Sequence, residues 1–176
     1  EDTARRIVIE NPGLINEKIQ TLKPVIDGFY PPRIEGAEEE IKAICYEKAH
    51  LIYGEKLPEI VEARLDHELS AIIKHGFSVL YYIAHKLVKK SNEDGYVVGS
   101  RGSVGSSLVA YFTGITEVNP LIPHYVCPNC HYANFAPGYD AACGADLPDS
   151  ICPECGTSLV KDGFDIPFET FLGFGT

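Results

Sequence analysis

The sequence predicts a helix-rich α+β fold with a small cysteine-rich subdomain, on three observations. Apolar residues recur at helical spacing through most of residues 1–91, the pattern breaks at Asp94-Gly95 into short glycine- and proline-rich stretches, and two Cys-x-x-Cys pairs stand in the last third. At 176 residues, 45% apolar and 23% charged, the chain suits one domain, or one domain with a small appendage, and is too apolar for wholesale disorder. No apolar run approaches the roughly 18–20 residues that cross a bilayer, and no charged-then-apolar leader opens the chain, so a soluble, cytoplasmic protein is expected. Methionine is absent even from position 1, which reads as a piece of a longer chain.

Taken in order, weak helical signals flank Asn11-Pro12-Gly13, and Pro24 to Gly36, with Pro31-Pro32 inside it, reads as an extended connection. Ile41, Ile44, Cys45 and Ile52 share one face of a segment ending at Gly54. Val61, Leu65, Leu69, Ile72 and Ile73 mark a second segment over 57–75, with Pro58 at its start and Gly76 just past its end. Phe77, Leu80, Ile83, Ala84, Leu87 and Val88 mark a third, so most of 37–90 is expected to be helical. Tyr96-Val97-Val98 predicts a short strand, Gly99–Gly105 a loop, and Ser106–Thr113 a helix closed by Gly114. Proline, glycine and cysteine dominate from Pro120 to about Thr157, a loop-rich stretch.

Several chemistry-bearing residues in the helical part read as structural. Cys45 falls on an apolar stripe, where a thiol packs like a small hydrophobe. Asp66-His67-Glu68 is the only Asp-x-Glu, and there is no Asp-x-Asp; residues two apart diverge on a helix, so a solvated face is expected. His50, His67, His75 and His85 lack partners at ligand spacing. The net charge is −10, and residues 91–176 carry only Arg101 and Lys161 against 10 acids. Nucleic-acid binders present a basic face, and this chain alone has none. Its most basic cluster, His85, Lys86, Lys89 and Lys90, reads as cations at a helix C-terminus.

Gly99-Ser100-Arg101-Gly102-Ser103-Val104-Gly105-Ser106-Ser107 has the makings of a phosphate cradle. Glycines allow close backbone approach, serines add hydroxyls, the next helix offers its N-terminal N–H groups, and Arg101 brings positive charge. It is not a Walker A loop, since no Gly-Lys-Ser/Thr follows, nor a dinucleotide fingerprint, since it lacks Gly-x-Gly. The competing reading is a tight turn whose glycines serve packing alone.

Cys127-Pro-Asn-Cys130 and Cys152-Pro-Glu-Cys155, 21 residues apart, are two knuckles able to surround one tetrahedral Zn²⁺. Disulfides suit a cytosolic chain poorly, and two redox pairs at this spacing would be coincidence. Cys143, His124 and His131 are spare ligand types, but four sulfurs already fill a site, which makes the zinc structural. Phe164, Ile166, Phe168, Phe171, Leu172 and Phe174 crowd the end; either they fold back onto the core or further chain covers them.

These residues together resemble the PolC-type catalytic alpha subunits of bacterial DNA polymerase III. The resemblance runs nearly the full length: Ile52-Tyr53-Gly54 with Leu57-Pro58-Glu59-Ile60-Val61-Glu62, His85-Lys86-Leu87-Val88-Lys89-Lys90-Ser91, Gly95-Tyr96, the 99–107 loop, Ile115 to Leu121, His124 to Cys130, and Asp165 to Phe174. It implies the N-terminal part of a polymerase-β-like palm over 1–120, a zinc-binding insertion over 121–160, and an apolar tail over 161–176 that leads toward the catalytic strand. It also implies that Gly99, Ser100, Arg101, Gly102, Ser103, Gly105 and Ser106 hold the triphosphate of the incoming dNTP during chromosome replication. The partners implied are primer-template DNA and other replisome subunits, met through domains absent here, and no membrane. The Asp-x-Asp that would hold Mg²⁺ for attack by the primer 3′-hydroxyl belongs after the tail, so the chain alone should be inactive. Two rival readings are a free-standing zinc-ribbon scaffold without nucleotide chemistry, and a small phosphotransferase, which lacks an acidic pair at plausible spacing.

Overall fold

The computed structural model describes residues 1–20, 25, 28, 30, 32–100 and 102–168, and it is mixed α and β. Two compact units are distinguished, Glu1–Pro32 and Arg33–Thr176. In the first, α1 (Asp2–Arg5), a π-helical turn (Arg6–Glu10) and α2 (Asn11–Lys18) follow one another without a break. Pro12 offers no N–H to the ladder, and the widened turn just ahead of it is where the ladder changes register. None of this unit's described residues is buried, which matches the weak periodicity of its sequence.

The second unit is built on three long helices: α3 (Ala37–Tyr53), α4 (Glu59–Lys74) and α5 (Ser78–Glu93). Glu38, Glu39 and Glu40 place negative charge on the positive end of α3. That helix buries Ala37, Ile41, Cys45, Ala49 and Tyr53, a series at every fourth residue. Facing it, α4 buries Val61, Leu65, Leu69 and Ile72. The short α6 (Leu108–Phe112) packs against both, with Leu108, Val109 and Ala110 wholly covered. A helix apolar on every side belongs at the centre of a core. Leu65 and Ile72 have no exposed surface, so truncating either to Ala should cost about 2–5 kcal/mol.

α4, α5 and α6 end alike. Gly76, Gly95 and Gly114 each take a left-handed φ, and the next residue's N–H reaches back to Ile72, Ser91 and Ala110 respectively. This ending corrects the strand expected at 96–98. Tyr96 N–H is committed to Ser91 and its carbonyl accepts from Ser91 Oγ, while Val97 stands 93% exposed. β-branched residues without a neighbouring strand have no ladder to join. The unit leading into the loop is therefore a helix end, followed by a 3₁₀ turn (Gly102–Ser106) and then α6.

A three-stranded antiparallel sheet carries the cysteine-rich part. β1 (His124–Val126) lies between β2 (Ala133–Asn134) and β3 (Val160–Asp162), with Tyr125 opposite both Asn134 and Lys161. Strands this short need support from packing. β1 supplies it by burying all three residues, Val126 joining the helical core. Beside β3, Gly144 N–H donates to Gly163 at 2.6 Å, so close that a Cβ on Gly144 would sit 2.4 Å from the Asp162 carbonyl.

Candidate functional site

The glycine–serine loop is held at both ends and open in its middle. Ser100 Oγ lies 2.6 Å from Thr116 Oγ1, and Gly105 packs against Val118, 3.5 Å from where its Cβ would be. Ser106 Oγ donates to Ser103 O at 2.7 Å and closes the 3₁₀ turn. Gly99, Gly102 and Ser103 are exposed, Gly102 in the left-handed region. Arg101 lies outside the described residues.

The helix that follows the loop departs from the expected phosphate cradle. The N–H groups at the start of α6 already have partners within the protein: Ala110 N–H donates to Ser107 Oγ and Val109 N–H to Glu68 Oε2, both at 3.2 Å. The positive end of this helix therefore faces a buried carboxylate, and any anion would have to rely on the loop itself.

Glu68 corrects a second expectation. Asp66 and His67 are exposed as expected, but Glu68 is fully buried. Its Oε1 accepts from Arg64 Nε at 2.5 Å, and its Oε2 accepts from Ser107 Oγ at 2.9 Å as well as from Val109. Burial pushes its carboxyl above the ordinary range, while the Arg64 charge and the N–H groups of Leu108 and Val109 pull it back down. Arg64 Nη2 also donates to Ser106 O at 2.8 Å and Ile166 O at 2.9 Å. The signal was available: Glu68 stands three residues past Leu65 and four before Ile72, within the apolar stripe, with Arg64 one turn earlier. Asp66 accepts from Tyr46 OH on the outer face, so the chain's one Asp-x-Glu points two ways and shares no site.

The four expected cysteines do come together. The sulfurs of Cys127, Cys130, Cys152 and Cys155 all lie within 4.8 Å of one another, with Cys127–Cys155 at 3.4 Å and Cys130–Cys152 at 3.5 Å. A tetrahedral ion about 2.3 Å from each thiolate needs sulfurs about 3.8 Å apart, so this donor set suits a metal. All six cysteines are free. The two knuckles share one backbone pattern. His131 and Gly156 N–H donate to the carbonyls of Cys127 and Cys152, Cys127 and Cys152 N–H donate to Tyr132 and Thr157, and His131 and Gly156 both take a left-handed φ. Hydrogen bonding with the Thr157 hydroxyl and then with the Asn129 side chain brings the Cys155 thiol down to about 5, toward the thiolate a metal takes.

The spare ligand types serve elsewhere. Cys143 caps a turn with Asp146, and His131 Nδ1 meets Ile52 O at 3.1 Å. His124 is buried, with Nδ1 2.7 Å from Ile122 O, Nε2 3.0 Å from Tyr53 OH, and Phe135 stacked on its ring. Asn119 extends this network by donating to Asp162 Oδ2 at 2.7 Å, which Tyr111 OH also reaches. Such satisfied buried polar groups seat the cysteine-bearing sheet on α3 and α6 in one orientation. His50 and His75 bond to carbonyls one turn away, and His85 Nδ1 to Thr113 O. Of the tail, Phe168 packs on the core and Phe164 is exposed; Phe171, Leu172 and Phe174 lie outside the described residues.

Residues 39–176 match the family model of the bacterial DNA polymerase III alpha NTPase domain. Over 174 residues, 99% of this chain, the sequence is 61% identical to the PolC-type DNA polymerase III of Caldanaerobacter subterraneus subsp. tengcongensis and equally to that of Halalkalibacterium halodurans. It is 59% identical over the same length to the PolC-type enzyme of Bacillus subtilis. The chain spans 12% of the length of each of these relatives. The family match takes in the glycine–serine loop, the Arg64–Glu68 pair beneath it and all four clustered cysteines, and the chain belongs to the bacterial DNA polymerase III alpha NTPase domain family.

Proposed function

We propose that this chain is the segment of a PolC-type DNA-directed DNA polymerase that receives the triphosphate of the incoming dNTP, in the N-terminal part of a polymerase-β-like palm. Similarity over 99% of the chain to relatives named PolC-type DNA polymerase III carries this reading. The local geometry supports it: a loop pinned at Ser100 and Ser106 with Gly102 and Ser103 exposed between them offers hydroxyl and backbone donors from a fixed frame. Gly99, Ser100, Arg101, Gly102, Ser103, Gly105 and Ser106 form the nucleotide site, with Ser103 the hydroxyl best placed to meet a phosphate oxygen. Primer-template DNA and other replisome proteins are its partners through the rest of a longer polypeptide working in the cytoplasm.

Cys127, Cys130, Cys152 and Cys155 hold a structural Zn²⁺. Four thiolates leave no coordination position for a reacting water, so the ion's contribution is to fold the 121–160 insertion. The carboxylates that hold Mg²⁺ for phosphoryl transfer lie outside this chain, because its one Asp-x-Glu has Glu68 buried against Arg64. The test is nucleotide incorporation by the full-length polymerase. Ser103→Ala should raise the KM for dNTP by about tenfold, the loss of one hydrogen bond to a charged group. Arg101→Ala should raise it further. Unchanged kinetics in both would make the loop a turn and nothing more.

A further inference from the structure

We propose that Arg64 is a positioning residue for the nucleotide site: its guanidinium locks the 99–106 loop to the 164–166 segment, so that the two hold one geometry together. The inference rests on the triphosphate reading of the loop and deepens it. Arg64 spans elements far apart in sequence, bonding to Glu68 within its own helix, to Ser106 O 42 residues on, and to Ile166 O 102 residues on. The two carbonyls share one terminal nitrogen, 2.8 and 2.9 Å away, while Nε is held by Glu68 at 2.5 Å. A planar fork with fixed donor directions meets such a set; a lysine ammonium, one point charge on a flexible stem, does not reproduce it.

The groups around this fork make it a lock. Glu68 fixes the guanidinium and also binds Ser107 Oγ and Val109 N–H, so adjacent loop residues 106 and 107 are held by the two halves of one ion pair. On the far side, Phe164, Asp165 and Ile166 N–H donate to Asn119, Leu121 and Pro120. Asn119 belongs to the same stretch as Thr116, which meets Ser100 at the far end of the loop, and Val118, which lies beside Gly105. A ring of contacts therefore runs from the loop through 116–121 and 164–166 to Arg64 and back to the loop. Arg64 keeps 21% of its side chain exposed and stands outside the apolar core, so its loss should release the ring without unfolding the helices. An open loop would then lose its preorganised donors, which raises the KM of a bound triphosphate more than a stability change of the same size would.

The experiment is hydrogen–deuterium exchange on the 176-residue chain, wild type against Arg64→Lys, with dGTP as the ligand probe followed by NMR shifts. In the Lys variant, amides over 102–107 and 163–168 should exchange about tenfold faster together, while core amides of α3 and α4 stay at the wild-type rate. In Arg64→Ala, millimolar guanidinium, far below denaturing levels, should restore protection to both segments, and equimolar urea should not. Faster exchange in only one segment, in neither, or equally in α3 and α4 would overturn the lock. If Arg64→Lys fails to fold, Glu68→Gln, which keeps an acceptor for Val109 but removes the charge that orients Arg64, gives the same readout. Wild-type dGTP shifts confined to 99–106, with at least fivefold weaker binding in Arg64→Lys, support the positioning role. Absence of those shifts in the wild type overturns the triphosphate reading, whereas the exchange result judges the lock separately.

Discussion

Replacing Glu68 by Ala removes one carboxylate that serves four donors, Arg64, Ser107 and the N–H groups of Leu108 and Val109. Val109 N–H is left buried and unpaired, which costs about 1–3 kcal/mol, and Ser107 Oγ loses its acceptor. Breaking a buried ion pair from one side costs about 3–5 kcal/mol in fully enclosed sites. Arg64 retains some water contact and two carbonyl acceptors, so its share is discounted, and the sum should fall at about 3–4 kcal/mol. Glu68→Gln keeps an acceptor oxygen and should lose only about 1–2 kcal/mol near neutral pH. The sign of the pH dependence follows from burial. The folded-state pKa of Glu68 is raised above its ordinary 4.5, so its contribution to stability is fully present below 4.5 and is lost as pH rises through the folded value. Relative to wild type, the Gln variant should therefore gain as pH rises from 4 toward 8. Urea unfolding followed by helical circular dichroism at several pH values measures both quantities. A loss below about 1 kcal/mol in the Ala variant, or a gap moving the other way with pH, would refute the buried network.

Three further outcomes are expected. Gly144→Ala places a Cβ 2.4 Å from the Asp162 carbonyl, so it should destabilise the sheet by about 1–3 kcal/mol, read as faster amide exchange in β3 with α3 unchanged. Zinc should bind at one ion per chain, and chelation should loosen residues 124–160 before the helices; elemental analysis of Cys152→Ser checks this, since stoichiometric zinc there would exclude the four-sulfur site. The isolated chain should not extend a primer with Mg²⁺, and robust extension would mean that carboxylates of this chain hold the metal after all.

Much of this protein was legible in its residues because the decisive physics was local. Apolar spacing placed Ile41 and Cys45 on the inner face of α3, and glycines two residues past the ends of α4, α5 and α6 set the terminations at Gly76, Gly95 and Gly114. The two Cys-Pro-x-Cys runs each build a knuckle from their own backbone, so a cluster of four sulfurs within 4.8 Å of one another could be foreseen. What stayed hidden depended on partners far along the chain. Tyr96-Val97-Val98 has the composition of a strand, but a strand exists only where another lies beside it, and the end of α5 claims Tyr96 instead. The place of Glu68 in the apolar stripe signals its burial but not its partners, since folding brings Ser107 and Val109, about 40 residues on, to its Oε2. The same folding turns the helix start after the loop from an open anion site into an internally paired one, since a carboxylate can enter a core only where donors converge on it.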